Sequence, residues 1–265
     1  MRSRRGEPRR GTQAGIELPP NVEIIYGKNA VREALRAGKR VRRLFVAQGA
    51  AKDEAIQEMV RLARGRGLWH EDVTREQLDA FGAEHQGVAA AVAPFPYESW
   101  GDLLGRLNRR QPPPAVLLLD TVQDPQNLGS LMRTSEAVGI DAIVLPKRRA
   151  VHVTPAVVRS SAGAVEHLSV AQVPNLARAA QELKDVGIWV AGIDMEGDQL
   201  YWDLDMSGPT ALVLGGEDRG IGQLVKEHCD FLIRLPMKGN VSSLNAAVAG
   251  SIVLYELLRQ RTSKQ

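Results

Sequence analysis

Cysteine is nearly absent: Cys229 is the single one in 265 residues. No disulfide can form within the chain, and no zinc site can rest on paired cysteines. One unpaired thiol fits a reducing compartment, so the expected location is cytoplasmic. Cys229 itself is expected to pack as a small apolar residue. No apolar run approaches the roughly 18 residues that a membrane span requires. The basic N-terminus has no apolar segment behind it, as a secretory signal would, so no membrane partner is expected. Two phosphate-binding signatures are also missing. There is no G-x-x-x-x-G-K-[ST] stretch. In G-x-G-x-x-G register from Gly215, Glu217 falls where a pyrophosphate would lie. Those absences argue against a P-loop enzyme and a nicotinamide-dependent dehydrogenase.

Excess charge is equally scarce once it is located. The first 20 residues carry five arginines against Glu7 and Glu17, an excess equal to the net charge of +3 of the whole chain. Acids and bases balance in the remainder. Residues 1–21 have no apolar periodicity and several prolines and glycines, so a basic disordered tail is expected there. Such a tail suits a polyanion partner or simple solubilisation.

What is present is an alternation of strand-like and helix-like segments in two blocks. Residues 22–97 read as a small α/β domain, with strands at 22–25, 41–47, 68–71 and 86–92. Helices fall between them, and Thr74 and Gln77 are spaced as a capping box. The proline-rich stretch 98–114, with a short helix at 100–107, reads as a linker. From Ala115 the pattern restarts with "AVLLLD", "AIVLP", "WVAGI", "ALVLG" and "FLIRL". Helices are expected at 127–138, 155–165, 175–186, 221–228 and 243–261. Continuous apolar strands alternating with helices predict a parallel sheet covered on both faces over 115–265. In such sheets ligands bind beyond the carboxyl ends of the strands.

Three loops after strands stand out. In "LDTVQDPQNLGSLMRT", Asn127 sits where an N-cap belongs, Gly129 lies in the first turn and Arg133 on the second. In "LVLGGEDRGIG", the acid Glu217 disfavours a phosphate and suits a cationic or sugar-bearing ligand, unless it pairs with Arg219 or solvent. In "RLPMKGNVSSLNAAVAG", Ser242 or Ser243 can cap the last helix. Leu244, Val248, Ile252 and Tyr255 make an apolar stripe along it. A cap explains neither the 237–240 excursion nor Asn245 in the first turn.

The stretches "DPQNLGSLMRT", "LVLGGEDRG" and "LPMKGNVSSLNAAVA", in that order across 115–260, resemble the three motifs of the SpoU/TrmH branch of the SPOUT RNA methyltransferases. "IYGKNAVREAL" resembles the start of the ribosomal-protein-like RNA-binding domain that precedes the catalytic domain in many members. The likeness is greatest to the RlmB-like group, which modifies a guanosine in large-subunit ribosomal RNA. The resemblance implies a small α/β domain followed by a parallel-sheet α/β domain with a trefoil knot, and a homodimer formed through helices that include the last one. It also implies S-adenosyl-L-methionine as methyl donor, a ribose 2′-hydroxyl as acceptor, and no metal.

Carried onto matching positions, the resemblance places the adenosine part of the donor near Gly215, Leu235, Met237 and Leu244. Asn127, Arg133, Glu217 and Asn245 would face the methyl group and the incoming ribose. A guanidinium is a poor base at neutral pH, so Arg133 is expected to hold an RNA phosphate and stabilise the developing alkoxide. For RNA capture the best basic runs are "RAGKRVRR" (Arg36, Lys39, Arg40, Arg42, Arg43) and "KRRAVH" (Lys147, Arg148, Arg149, His152). His70, His85, His167 and His228 are expected to be structural. Transfer RNA, another ribosomal site of the antibiotic-resistance type, and a non-catalytic RNA-binding or ribosome-assembly role remain open as alternatives.

Overall fold

Residues 11–13, 15–216, 219–240 and 243–263 are described by a computed structural model of the chain. They form two units. The first runs up to Pro96 and includes Val153–Glu166; the second comprises Tyr97–His152 and the residues from His167 onward.

The first unit opens with a hairpin, β1 (Gly11–Gln13) and β2 (Ile16–Leu18). There follow β3 (Glu23–Tyr26), α1 (Lys28–Ala37), β4 (Val41–Ala47), α2 (Glu54–Gly65), β5 (Trp69–Val73), α3 (Arg75–Asp79) and β6 (Val88–Val92). Four strands make a mixed sheet in the order β3-β6-β4-β5, with only β4 and β5 parallel. β6 reads "VAAAV" and is buried throughout, as its central place between β3 and β4 requires. α3 starts at the capping box of Thr74 and Gln77.

The tail expected to be disordered over 1–21 is ordered in part. Ile16 is only 1% exposed and packs with Phe45, Val73 and Leu78. A three-residue strand is too short to show a period of two. Residues 1–10 and 14 lie outside the described residues.

Residues 153–166, expected in the second domain, also pack in this unit. The helix expected over 155–165 stops at Ser160, because Ala162 and Gly163 take left-handed φ values of 52° and 86°. Beyond that break, Glu166 meets Arg40 in a buried bidentate pair, at 3.1 and 2.8 Å. Arg40 also donates to the Ala93 carbonyl and lies over the Phe95 ring.

In the second unit α4 (Trp100–Asn108) precedes β7 (Ala115–Asp120), α5 (Pro125–Val138) and β8 (Ala142–Pro146). After α6 (Pro155–Ser160), the helix just described, come β9 (Val170–Val173), α7 (Leu176–Asp185), β10 (Trp189–Ile193) and β11 (Gln199–Leu200). The chain ends with β12 (Thr210–Gly215), α8 (Gln223–Lys226), β13 (Phe231–Arg234) and α9 (Ala246–Thr262). Seven parallel strands lie in the order β11-β13-β10-β12-β7-β8-β9. β7 and β12 are wholly buried, which is why they read as unbroken apolar runs. The short strands β9 and β11 went unread in the sequence.

The stretch 98–114 belongs to this unit and is no linker: Leu103 and Leu107 of α4 are buried in its core. The prolines that suggested a linker surround an amphipathic helix with a Ser99 N-cap. Cys229 packs at the edge of the same core. Burial, followed by the nearby Asp230 charge, pushes its thiol up to about 12. No described helix is long and apolar enough to cross a membrane. Nor do three His, Cys, Asp or Glu side chains among the described residues group as a metal would need.

Candidate active site

Register brings the motif loops together. Asp120 at the end of β7 is the partner of Gly215 at the end of β12, Leu214 is the partner of Ile193 on β10, and Ile193 in turn of Ile233 on β13. Four neighbouring parallel strands therefore release their loops side by side at the same edge, where open α/β sheets bind ligands.

The second loop folds back on itself. The Gly220 amide donates to the Gly216 carbonyl at 3.0 Å, and a Cβ on Gly215 would stand 1.9 Å from the Gly220 carbonyl carbon. A Cβ on Gly216 would stand 2.6 Å from the Thr121 carbonyl oxygen. Only glycine permits both approaches. The buried Asp120 carboxylate accepts from the Gly222 amide at 2.8 Å, fixing the exit of the second loop to the end of the first strand.

A cavity of about 540 Å³ opens between these loops. Gly215, Leu235, Met237 and Leu244, the four positions expected at a cofactor, all line it, with Ser243, Ala246 and Ala249. Asp194 and Glu196, in the loop after β10, and Lys226 of α8 complete its charged wall. Lys226 Nζ lies 2.7 Å from Asp194 and 3.4 Å from Glu196. The hydrogen bond to Asp194 holds the ammonium above its ordinary value. These three were missed in the sequence, although "WVAGI" was read as a strand and the loop after it was a place to look.

Both helix starts differ from expectation. Asp124, not Asn127, caps α5, accepting from the Gln126 amide at 3.0 Å with Pro125 at the first helical position. Asn245, not Ser243, caps α9, accepting from the Ala247 and Val248 amides at 3.0 and 3.2 Å. Ser242 lies outside the described residues. Because Asp124 takes the cap, the Asn127 side chain is available elsewhere: its Oδ1 accepts from Asn245 Nδ2 at 2.9 Å, across 118 residues. Two of the four residues expected at the reaction thus meet. Behind them α9 lies close along α5, where a Cβ on Gly250 would stand 2.7 Å from Leu131 and 2.8 Å from Leu214. The expected stripe of Leu244, Val248, Ile252 and Tyr255 does not join that packing; these side chains are 36–55% exposed.

Arg133 is not brought to either asparagine. It is exposed on α5, lines neither cavity, and pairs with no group among the described residues. Glu217 lies outside the described residues. A second cavity of about 460 Å³ adjoins the first, sharing Gly216, Arg219 and Ala246 with it. Thr121, Asp124, Asn127 and Arg149 are among its other walls. Of the basic runs, Lys147, Arg148 and Arg149 are exposed, whereas Arg40 is buried and Arg36 and Arg43 are engaged by Glu58 and Glu71. His85 is structural: its Nδ1 accepts from the Gly87 amide at 2.8 Å.

Known proteins share the fold and both parts of the chain. Residues 24–98 match the family described as RNA 2'-O ribose methyltransferase substrate binding, and residues 114–255 match the SpoU rRNA Methylase family. YacO of Bacillus subtilis, named as a TrmH-family tRNA/rRNA methyltransferase, is 45% identical over 90% of this chain and 96% of its own length. The SpoU methyltransferase AviRb of Streptomyces viridochromogenes superposes with a TM-score of 0.78 at 27% identity, covering 92% of this chain and 91% of AviRb. Its complex with AdoMet gives a TM-score of 0.76 at 28% identity, covering 92% of each chain. Three motif loops held at one sheet edge, with both family matches in chain order, make the conclusion plain: the chain belongs to the SpoU rRNA methylase family.

Proposed function

We propose that the chain transfers a methyl group from S-adenosyl-L-methionine to the 2′-hydroxyl of a guanosine in large-subunit (23S-type) ribosomal RNA. The observation that carries this reading is the hydrogen bond between Asn127 and Asn245 beside a cavity lined by Gly215, Leu235, Met237 and Leu244.

The cavity's chemistry fits the cofactor. Leu235, Met237 and Leu244 give apolar faces for an adenine, and the rigid loop backbone supplies amides and carbonyls for its edge. Asp194 and Glu196 are carboxylates that suit an ammonium or ribose hydroxyls, and Lys226 suits a carboxylate. When bound, the cofactor supplies a methyl group on a sulfonium sulfur. A C–O bond to the 2′-oxygen would form as the C–S bond breaks, leaving a neutral thioether, and the hydroxyl proton would pass to water.

The task of the protein is chiefly alignment. The paired asparagines fix the starts of α5 and α9 against each other and offer amide dipoles to the reacting hydroxyl. Glu217 and Arg133 keep their assigned places in the reaction as part of this proposal, Glu217 positioning donor or ribose. Arg133 is stationed at the surface, where a second copy of the chain can present it.

In support of that second copy stands the exposed stripe of Val248, Ile252 and Tyr255, an apolar face on α9 that a homodimer would bury. Ile252→Asp is expected to turn a sedimenting dimer into a monomer; a wild type that sediments as a monomer would refute the dimer.

The test is transfer of labelled methyl to unmodified large-subunit ribosomal RNA, transfer RNA and an unrelated RNA. Label in ribosomal RNA at one alkali-resistant linkage, lost in Arg133→Ala and reduced about 100-fold in Asn245→Ala, is the expected result. Label in transfer RNA alone would replace the proposed substrate. No label in any RNA by a protein that binds the cofactor would leave a binding role.

A further inference from the structure

The 460 Å³ cavity beside the cofactor cavity brings together two guanidinium groups from distant parts of the chain. Arg149 comes from the loop after β8 and Arg219 from the folded-back loop after β12. Both are exposed, and neither is paired with a carboxylate among the described residues. Asp124 also lines the cavity, with its Oδ1 accepting from the Gln126 amide, and is one carboxylate against the two guanidinium groups. The remaining walls include Thr121 and Asn127.

The backbone is held in an uncommon shape to achieve this. Thr121 and Arg149 have φ values of 58° and 63°, and a β-branched residue in the left-handed region is strained. Strain of this kind persists where the surroundings over-determine it, typically at binding sites. Here the Thr121 carbonyl is pressed against Gly216, and the Val151 amide bonds to the Val122 carbonyl at 3.0 Å, tying the two loops together.

Two unpaired, forked cations facing one cavity match a phosphate oxyanion, which guanidinium groups hold bidentately. The cavity is of a size for one splayed-out nucleotide, the form in which proteins read RNA. Because Arg219 lines both cavities, an anion it holds is fixed next to the bound methyl donor.

We infer that Arg149 and Arg219 clamp the phosphate flanking the ribose that is methylated, and so position the 2′-hydroxyl. This inference rests on the RNA methyltransferase reading. It adds to the phosphate-holding expected of Arg133 two residues that line the 460 Å³ cavity. Arg149 and Arg219 are positioning residues.

The experiment uses the full chain, large-subunit ribosomal RNA and S-adenosylmethionine. Arg149→Gln, Arg219→Gln, their double variant and Arg219→Lys are compared with wild type for cofactor affinity, for KM and kcat, and for RNA affinity across salt concentrations. Each Gln variant is expected to weaken RNA binding about 10-fold and to lower the slope of log affinity against log salt by about 0.7. Cofactor affinity is expected to stay within about twofold. Arg219→Lys should recover the slope, which counts charge, and only part of the affinity, which needs the fork. Unchanged RNA affinity and slope in variants of an active wild type would overturn the clamp alone. Loss of cofactor affinity in Arg219→Gln would overturn it by assigning Arg219 to the cofactor. A wild type that binds RNA but transfers no methyl would overturn the methyltransferase reading instead.

Discussion

Two basic runs, "RAGKRVRR" and "KRRAVH", look equivalent as strings and end in different states. In the first, Arg36 reaches Glu58 at 2.7 Å and Glu33 at 3.2 Å. Arg43 donates to the Glu17 carbonyl at 2.8 Å and faces Glu71 at 3.5 Å. Arg40 disappears into the core against Glu166. In the second, Lys147, Arg148 and Arg149 follow the end of β8 into an exposed loop, and Arg149 reaches a cavity wall. The difference lies in where the acids come from. Parallel pairing of β4 with β5 sets Glu71 opposite Phe45, within reach of Arg43. The acids that engage Arg36, Arg40 and Arg43 lie anywhere from 3 to 126 positions away, while Lys39 and Arg42 stay exposed. A charge run states how many cations there are and leaves open how many are available to a polyanion.

The largest test of this contrast is Arg40→Ala. Removing one partner of a buried pair leaves the other charge uncompensated, which costs about 3–5 kcal/mol. A urea titration should show that loss, and the double change Arg40→Met with Glu166→Met should restore much of it. A loss below about 1 kcal/mol would mean that Arg40 is not held as described.

Changing Lys147 and Arg148 together to Gln should do the opposite. Stability should stay within about 0.5 kcal/mol, while the salt slope of RNA binding falls by about 1.4, for two cations. An unchanged slope would mean that Lys147 and Arg148 do not meet the RNA.

Smaller still is the expected effect of Arg36→Gln with Arg43→Gln. Both groups already serve carboxylates, so RNA affinity should change by less than about twofold. A fall as large as that of the Lys147 and Arg148 variant would erase the distinction between the runs.

The smallest effect concerns Lys226, a cation engaged in the wall of the 540 Å³ cavity. Its pKa is raised, first by the hydrogen bond to Asp194. The contribution of a group with a raised pKa is complete below its unfolded value, about 10.4, and fades as pH rises through the folded value. The stability difference between wild type and Lys226→Met should therefore stay constant from about pH 7 to 9.5. A difference that shrinks in that window would show that Asp194 does not hold the ammonium.

Much of the fold was legible because its signals are local. β4 was read at its observed bounds, the capping box at Thr74 is present, and the wholly buried strands β7 and β12 declared themselves by unbroken apolar runs. The failures share a cause as well. Asn127 and Asp124 are both good caps, and Pro125 decides between them by starting the helix. Asn245 takes the cap of α9 in place of Ser243, and its amide group serves both the helix start and Asn127. The apolar stripe of Leu244, Val248, Ile252 and Tyr255 is exposed, and Ala246, Gly250, Val253 and Leu257 are the buried face. Small residues let α9 sit closer to α5 than a stripe of large ones would.

The sequence by itself determined most of the elements, the three motif loops with their glycines, and four positions that line one cavity. It did so because propensity, capping and apolar periodicity act within a few residues. Only the tertiary structure decided which of those loops touch. It brought Asn245 to Asn127, Asp120 to Gly222, Glu166 to Arg40, and Arg149 and Arg219 to one cavity. Each of these depends on strand order and register, and a buried charge or a close backbone approach is tolerated only when a distant partner arrives to meet it.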